Sequence, residues 1–173
     1  NEVKAGTRKP WPQSVNFNKK EIPEDLLAKM NEIETGAFLI IQHDSLVHEE
    51  YWGEFCNKSY TNSFSMAKTV VSVLLGCALQ DGSIQSLDQP VGDFLPEYKE
   101  GDLSKITLRH LVNMNSGIAF DEDYVNPFAY PAEAYYGNDL RSLTYSYTTV
   151  TEDPGKTFRY LSGNSQILGF VWD

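Results

Sequence analysis

Ser65 and Lys68 stand three residues apart, which on a helix sets a hydroxyl and an amine one turn apart on the same face. A serine hydroxyl is a weak nucleophile until something takes its proton, and an amine at that distance can do so without any histidine. The pair alone carries little weight. With 14 serines and 10 lysines in 173 positions, about 0.8 chance matches to this spacing are expected. What surrounds the pair carries more.

Tyr60-Thr61-Asn62-Ser63-Phe64 precedes it and offers polar N-cap candidates. After it, Val70, Val71, Val73, Leu74, Leu75, Cys77, Ala78 and Leu79 predict a helix over residues 65–80 that is apolar on most sides, and Gly82 ends it after Asp81. Such a helix is expected at the centre of a fold, with Ser65 at its mouth, where the dipole favours a developing anion.

Other elements must hold this one in place. Residues 1–20, with Trp11-Pro12, read as a leader or an edge-packing arm. Pro23 followed by Glu24 and Asp25 predicts a short helix. Residues 36–42 and 46–53, joined by His43-Asp44-Ser45, predict an antiparallel hairpin whose uniformly apolar first strand should be buried on both faces. Residues 84–91 read as a loop, with a helical turn at 91–95. Residues 107–114 read as a short helix capped by Thr107 and stopped by Asn115-Ser116-Gly117. Residues 121–140, rich in Tyr, Asp and Asn, read as a surface excursion around 132–136 that either walls a substrate cleft or packs as a loop. Residues 142–150 fit strand or helix. Residues 160–172 end the chain, helical from about Gly163. Two strands do not make a stable sheet by themselves, so the chain is expected to be the front part of a larger fold.

The net charge of −10 argues against nucleic acid and anionic membranes as partners, and no apolar run reaches the length of a membrane span. Cys56 and Cys77 fit no zinc or redox spacing, and Cys77 reads as a core thiol. His43 and His48, five apart on the hairpin, do not have metal spacing and read as surface residues; His110 reads as structural. No metal or other cofactor is expected.

Four segments in sequence make the chain similar to a known family. They are Phe64-Ser65-Met66-Ala67-Lys68-Thr69, residues 82–91 (GSIQSLDQPV), residues 106–117 (ITLRHLVNMNSG) and residues 154–169 (PGKTFRYLSGNSQILG). Together they resemble the serine β-lactamase-related family: class C β-lactamases, penicillin-binding proteins and their esterase and 6-aminohexanoate-dimer-hydrolase-type relatives. The S-x-x-K pattern is a known signature of penicillin-binding proteins and class A β-lactamases.

The resemblance implies an α+β fold, an antiparallel sheet flanked by helices with a mostly helical region. It is expected here as one incomplete domain over residues 1–173: arm and helix 1–35, hairpin 36–53, central helix and helical region 54–173. It implies Ser65 as nucleophile, Lys68 as its activating partner and Tyr160 as the tyrosine of a Tyr-x-Asn motif. Ser162 replaces the Asn, a form that looks like the esterase and small-amide-hydrolase branch, and either lines the site as a substrate-binding residue or caps the last helix. The family's Lys-Thr-Gly or His-x-Gly triplet is not found, and Lys156-Thr157-Phe158 is not it.

The chemistry this implies is cleavage of a carboxylic ester, amide or β-lactam through an acyl-enzyme on Ser65. Either Lys68, which titrates near 10.4 when free, is made neutral and takes the proton, or it stays charged and turns Tyr160 into the base. The Ser65 N–H would give one oxyanion donor and the unfound edge strand the second, so these 173 residues alone are expected to be inactive. A non-catalytic binding protein of the same fold and a cell-wall DD-peptidase stay open as alternatives. Oligomeric state is not indicated, and a periplasmic or secreted bacterial location and a cytoplasmic one both fit.

Overall fold

The structure is a computed structural model that describes Thr7 and residues 9–172. It divides into two compact units, Asn1–Asn62 and Ser63–Asp173.

In the first unit, helix α1 (Glu24–Glu32) begins directly after Pro23, whose fixed φ of −55° suits a helix entrance. Glu24 and Asp25 face the positive end of its dipole and Lys29 the negative end. Strands β1 (Ala37–Gln42) and β2 (Ser45–Tyr51) pair antiparallel, with a register shift between Ile40 and Ile41. The turn is tighter than the sequence suggests. His43 and Asp44 alone form it, with φ of 49° and 55°, the left-handed pair that matches strand twist in a two-residue hairpin.

Residues 12–18 of the N-terminal arm pack on the edge of β2, the edge-packing alternative of the sequence reading. Leu46 N–H donates to Pro12 O and Leu46 O accepts from Ser14 N–H; the Asn18 side chain exchanges two 2.9 Å bonds with the Glu49 backbone. These contacts satisfy an edge that would otherwise be open.

Two expectations for this unit fail. β1 is not buried: Leu39, Ile40 and Ile41 are all more than 40% exposed. His48 is not a surface residue, because its ring packs on Phe38 and Nε2 lies 3.2 Å from Glu50.

The second unit holds the core. A 3-10 turn, Phe64–Met66, leads into α2 (Ala67–Asp81), and Gly82 at φ 82° stops it. None of the polar residues before the turn caps it with a side chain. The sequence places α2 at the centre of the fold and Cys77 in the core, yet only Leu75 and Ala78 are buried, while Val70, Val73, Leu74 and Cys77 are exposed. The sequence makes most sides of this helix apolar; the described residues cover only one of them.

The core proper is built around Val91, Tyr98, Ile106, Leu108, Leu111, Ile118, Tyr130 and Ile167. α3 (Leu108–Val112) starts in a closed capping box: His110 N–H donates to Thr107 Oγ1, and Thr107 N–H donates back to His110 Nδ1 at 3.2 Å. α4 (Tyr130–Tyr136) gives the 121–140 excursion a buried anchor, since Tyr130 is enclosed and its hydroxyl lies 2.9 Å from Thr144 on α5 (Leu140–Ser146). α6 (Ser162–Phe170) packs beside α2 and α3.

Candidate active site

The candidate residues lie at or just before the starts of two helices, α2 and α6. Ser65 is the middle residue of the 3-10 turn before α2, and Lys68 is in the first turn of α2. Phe64, immediately before Ser65, has φ of 42°, a left-handed conformation that costs a bulky residue of order 1–3 kcal/mol and gathers at functional sites. Tyr160 lies two residues before α6, next to the extended N-cap Leu161, and Ser162 is the first residue of that helix.

The second unit brings three of these side chains together. Lys68 Nζ donates to Ser65 Oγ at 3.2 Å and lies 5.1 Å from the centroid of the Tyr160 ring. The Ser65 hydroxyl first, and the Lys68 ammonium after it, hold the Tyr160 phenol below its ordinary titration range; slight burial and the Glu122 carboxylate push the other way. Ser65 is exposed and Tyr160 is 41% exposed, so the cluster opens to solvent.

Ser162 faces a different partner. Its N–H donates to Glu122 Oε2 at 2.7 Å and its hydroxyl donates to Glu122 Oε1. Tyr124 OH donates to the same Oε1 at 2.8 Å and lies 3.5 Å from Ser162 Oγ. Burial pushes the Tyr124 phenol up, which keeps it a neutral donor. No spacing or motif in the sequence points to Glu122. The only signal is an acid two residues before a tyrosine in a stretch already crowded with both.

The scaffold behind the cluster is tight. A Cβ on Gly163 would lie 2.3–2.5 Å from the Phe120 ring, so only glycine allows α6 to start there. Gly117, at φ 76°, would carry a Cβ 2.2 Å from Glu152 O. Ser116 Oγ donates to Asn164 Oδ1 at 2.7 Å, both fully buried, and so ties the 115–117 turn to α6. Arg159 N–H donates to Met114 O at 2.8 Å, which fixes the backbone beside Tyr160.

His110 takes part in none of this chemistry; it closes its own helix cap, and burial lowers its pKa. Among the described residues no group of His, Cys, Asp and Glu could hold a metal ion, and no helix is long and apolar enough to cross a membrane.

The sequence model of the Beta-lactamase family matches residues 24–172. The chain belongs to the beta-lactamase family. A 6-aminohexanoate-dimer hydrolase of Paenarthrobacter ureafaciens is 24% identical over 156 residues, which cover 85% of this chain and 40% of the relative. Among solved structures, a "putative 6-aminohexanoate-dimer hydrolase" from Bacillus anthracis superposes with a TM-score of 0.71 at 18% identity, over 95% of this chain and 48% of its own. A "putative beta-lactamase" from Bacteroides dorei gives a TM-score of 0.66 at 22% identity, over 86% of this chain and 44% of its own. The α+β beta-lactamase fold is thereby shown, and the chain spans less than half the length of these relatives.

Proposed function

We propose that the protein is a serine hydrolase that cleaves a carboxylic ester or a small amide through an acyl-enzyme on Ser65. The observation that carries this reading is the meeting of Ser65, Lys68 and Tyr160, with the lysine ammonium in hydrogen-bond contact with the serine and over the tyrosine ring. Family membership over residues 24–172 supports it, and supports treating both units as parts of one domain.

Of the two proton acceptors, Tyr160 is the one favoured. Its phenol is held low by Ser65 and Lys68, so a phenolate is more accessible near neutrality than for a free tyrosine. As Ser65 Oγ bonds to the substrate carbonyl carbon, its proton passes to Tyr160. The carbonyl oxygen becomes an oxyanion near the Ser65 N–H. Collapse expels the alcohol or amine, which takes the proton from Tyr160, and water then hydrolyses the acyl ester by the reverse transfers. Lys68, over the Tyr160 ring, favours the phenolate. Ser162, two residues after Tyr160 in sequence and held by Glu122, is the substrate-side residue of this reading.

The likeness to a 6-aminohexanoate-dimer hydrolase supports small amides within the substrate class, and the family includes β-lactam hydrolysis as a further candidate. Fluorophosphonate labelling of the full-length protein, compared with Ser65→Ala, tests the reading. Label on wild type and none on the variant is expected. An unlabelled wild type of native fold would overturn the hydrolase assignment in favour of a binding protein.

A further inference from the structure

Leu161 occupies the N-cap of α6 and has no side-chain acceptor to offer, so the first N–H groups of that helix need a partner from elsewhere. Glu122, 40 residues away in sequence, supplies it by accepting from Ser162 N–H at 2.7 Å. A carboxylate suits this place, because the helix dipole favours negative charge there. The same carboxylate accepts the Ser162 hydroxyl and, at 2.8 Å, the Tyr124 hydroxyl. Three donors thus converge on one half-buried side chain, and the residue they immobilise is two positions from Tyr160.

We propose that Glu122 is a positioning residue of the hydrolase site: by gripping the first turn of α6 it fixes where the Tyr160 phenol stands relative to Ser65 and Lys68. This rests on the hydrolase reading above. Glu122 touches no reacting atom; it acts through Ser162 and the backbone that joins Ser162 to Tyr160. Its charge has a second consequence. Tyr160 is faced by Ser65 from the 3-10 turn, by Lys68 from α2, and by Glu122 and the Tyr124 phenol from the segment before α4. Lys68 favours the phenolate and Glu122 opposes it, so Glu122 moderates the tyrosine that Lys68 activates.

Two variants of the full-length protein separate the geometric part from the charge. Glu122→Gln can still accept from Ser162 N–H through its oxygen and can donate to the two hydroxyls through its amide, but it is neutral. Glu122→Ala removes both. With a p-nitrophenyl ester, Glu122→Ala is expected to lose about 10²-fold in kcat, the cost of a misplaced catalytic group, with KM within about two-fold. Glu122→Gln is expected to recover most of that kcat and to move the acidic limb of its pH profile to lower pH. A residue of merely structural importance would lower the melting temperature and leave the limb where it is in wild type.

Unchanged kcat in Glu122→Ala, or an unmoved limb in Glu122→Gln, would overturn the proposal; if Glu122→Ala does not fold, the limb of Glu122→Gln decides alone. Fluorophosphonate labelling of wild type, run first, keeps the two ideas apart. No label at Ser65 defeats the hydrolase reading, whereas a labelled wild type with indifferent Glu122 variants defeats only this one.

Discussion

The Lys68 ammonium lies 3.2 Å from the Ser65 hydroxyl, close enough to order it but not to decide which group removes its proton. The neighbouring phenol is what separates the alternatives. If Tyr160 is the base, Tyr160→Phe should lower kcat by about 10²–10⁴-fold while the protein melts at nearly its usual temperature. Lys68→Met should allow the phenol to rise toward its ordinary value, because the ammonium now holds it down. The tyrosinate absorbance of Lys68→Met should therefore appear at higher pH than that of wild type. Titration at the same pH in both would remove Tyr160 from the role of base.

His110 makes a prediction about stability rather than rate. Its Nδ1 accepts the Thr107 N–H, and burial disfavours its charged form, so its folded pKa is below the unfolded value of about 6.5. A histidine with a depressed folded pKa contributes stability above the unfolded value and loses it as pH falls, because the unfolded chain then binds the proton more readily. The denaturation midpoint should decline as pH drops from about 6.5 toward the lower folded value. His110→Gln should be less stable at neutral pH and lack that part of the decline. An identical pH dependence in both would contradict the cap geometry.

Gly163 and Phe120 predict a coupled loss. Gly163→Ala puts a methyl 2.3–2.5 Å from the ring, so Phe120 or the start of α6 must shift, at a cost of about 1–3 kcal/mol in a packed core. The shift moves the segment that carries Tyr160, and ester turnover should fall along with stability. In a double-mutant cycle with Phe120→Leu, the two effects should not add, since the smaller side chain admits the methyl. Additive losses in denaturant titrations would show that the contact is not limiting.

What the sequence reveals here is local. Thr107 and His110 lie three apart and form the cap that a Thr before an apolar run suggests. Pro23 begins a helix, and Ser65 and Lys68 meet because three residues of helix oblige them to. Burial is a different matter, because it depends on what covers a face. Ile40, Ile41, Val70 and Val73 are as apolar as any core residue, yet they are exposed among the described residues. His48 misleads in the opposite sense, a polar residue enclosed by Phe38 and Glu50. Glu122 shows the third kind of miss. Its partner lies 40 residues on, and no spacing rule links an acid in a tyrosine-rich stretch to the first turn of a distant helix.

The most direct measurement is the intact mass of the full-length protein quenched during turnover of a p-nitrophenyl ester, followed by peptide mapping. An acyl adduct on Ser65, present during turnover, absent after substrate is exhausted and never formed in Ser65→Ala, is the predicted result. Turnover that proceeds with no adduct on Ser65, or with the acyl group on another residue, would contradict the account.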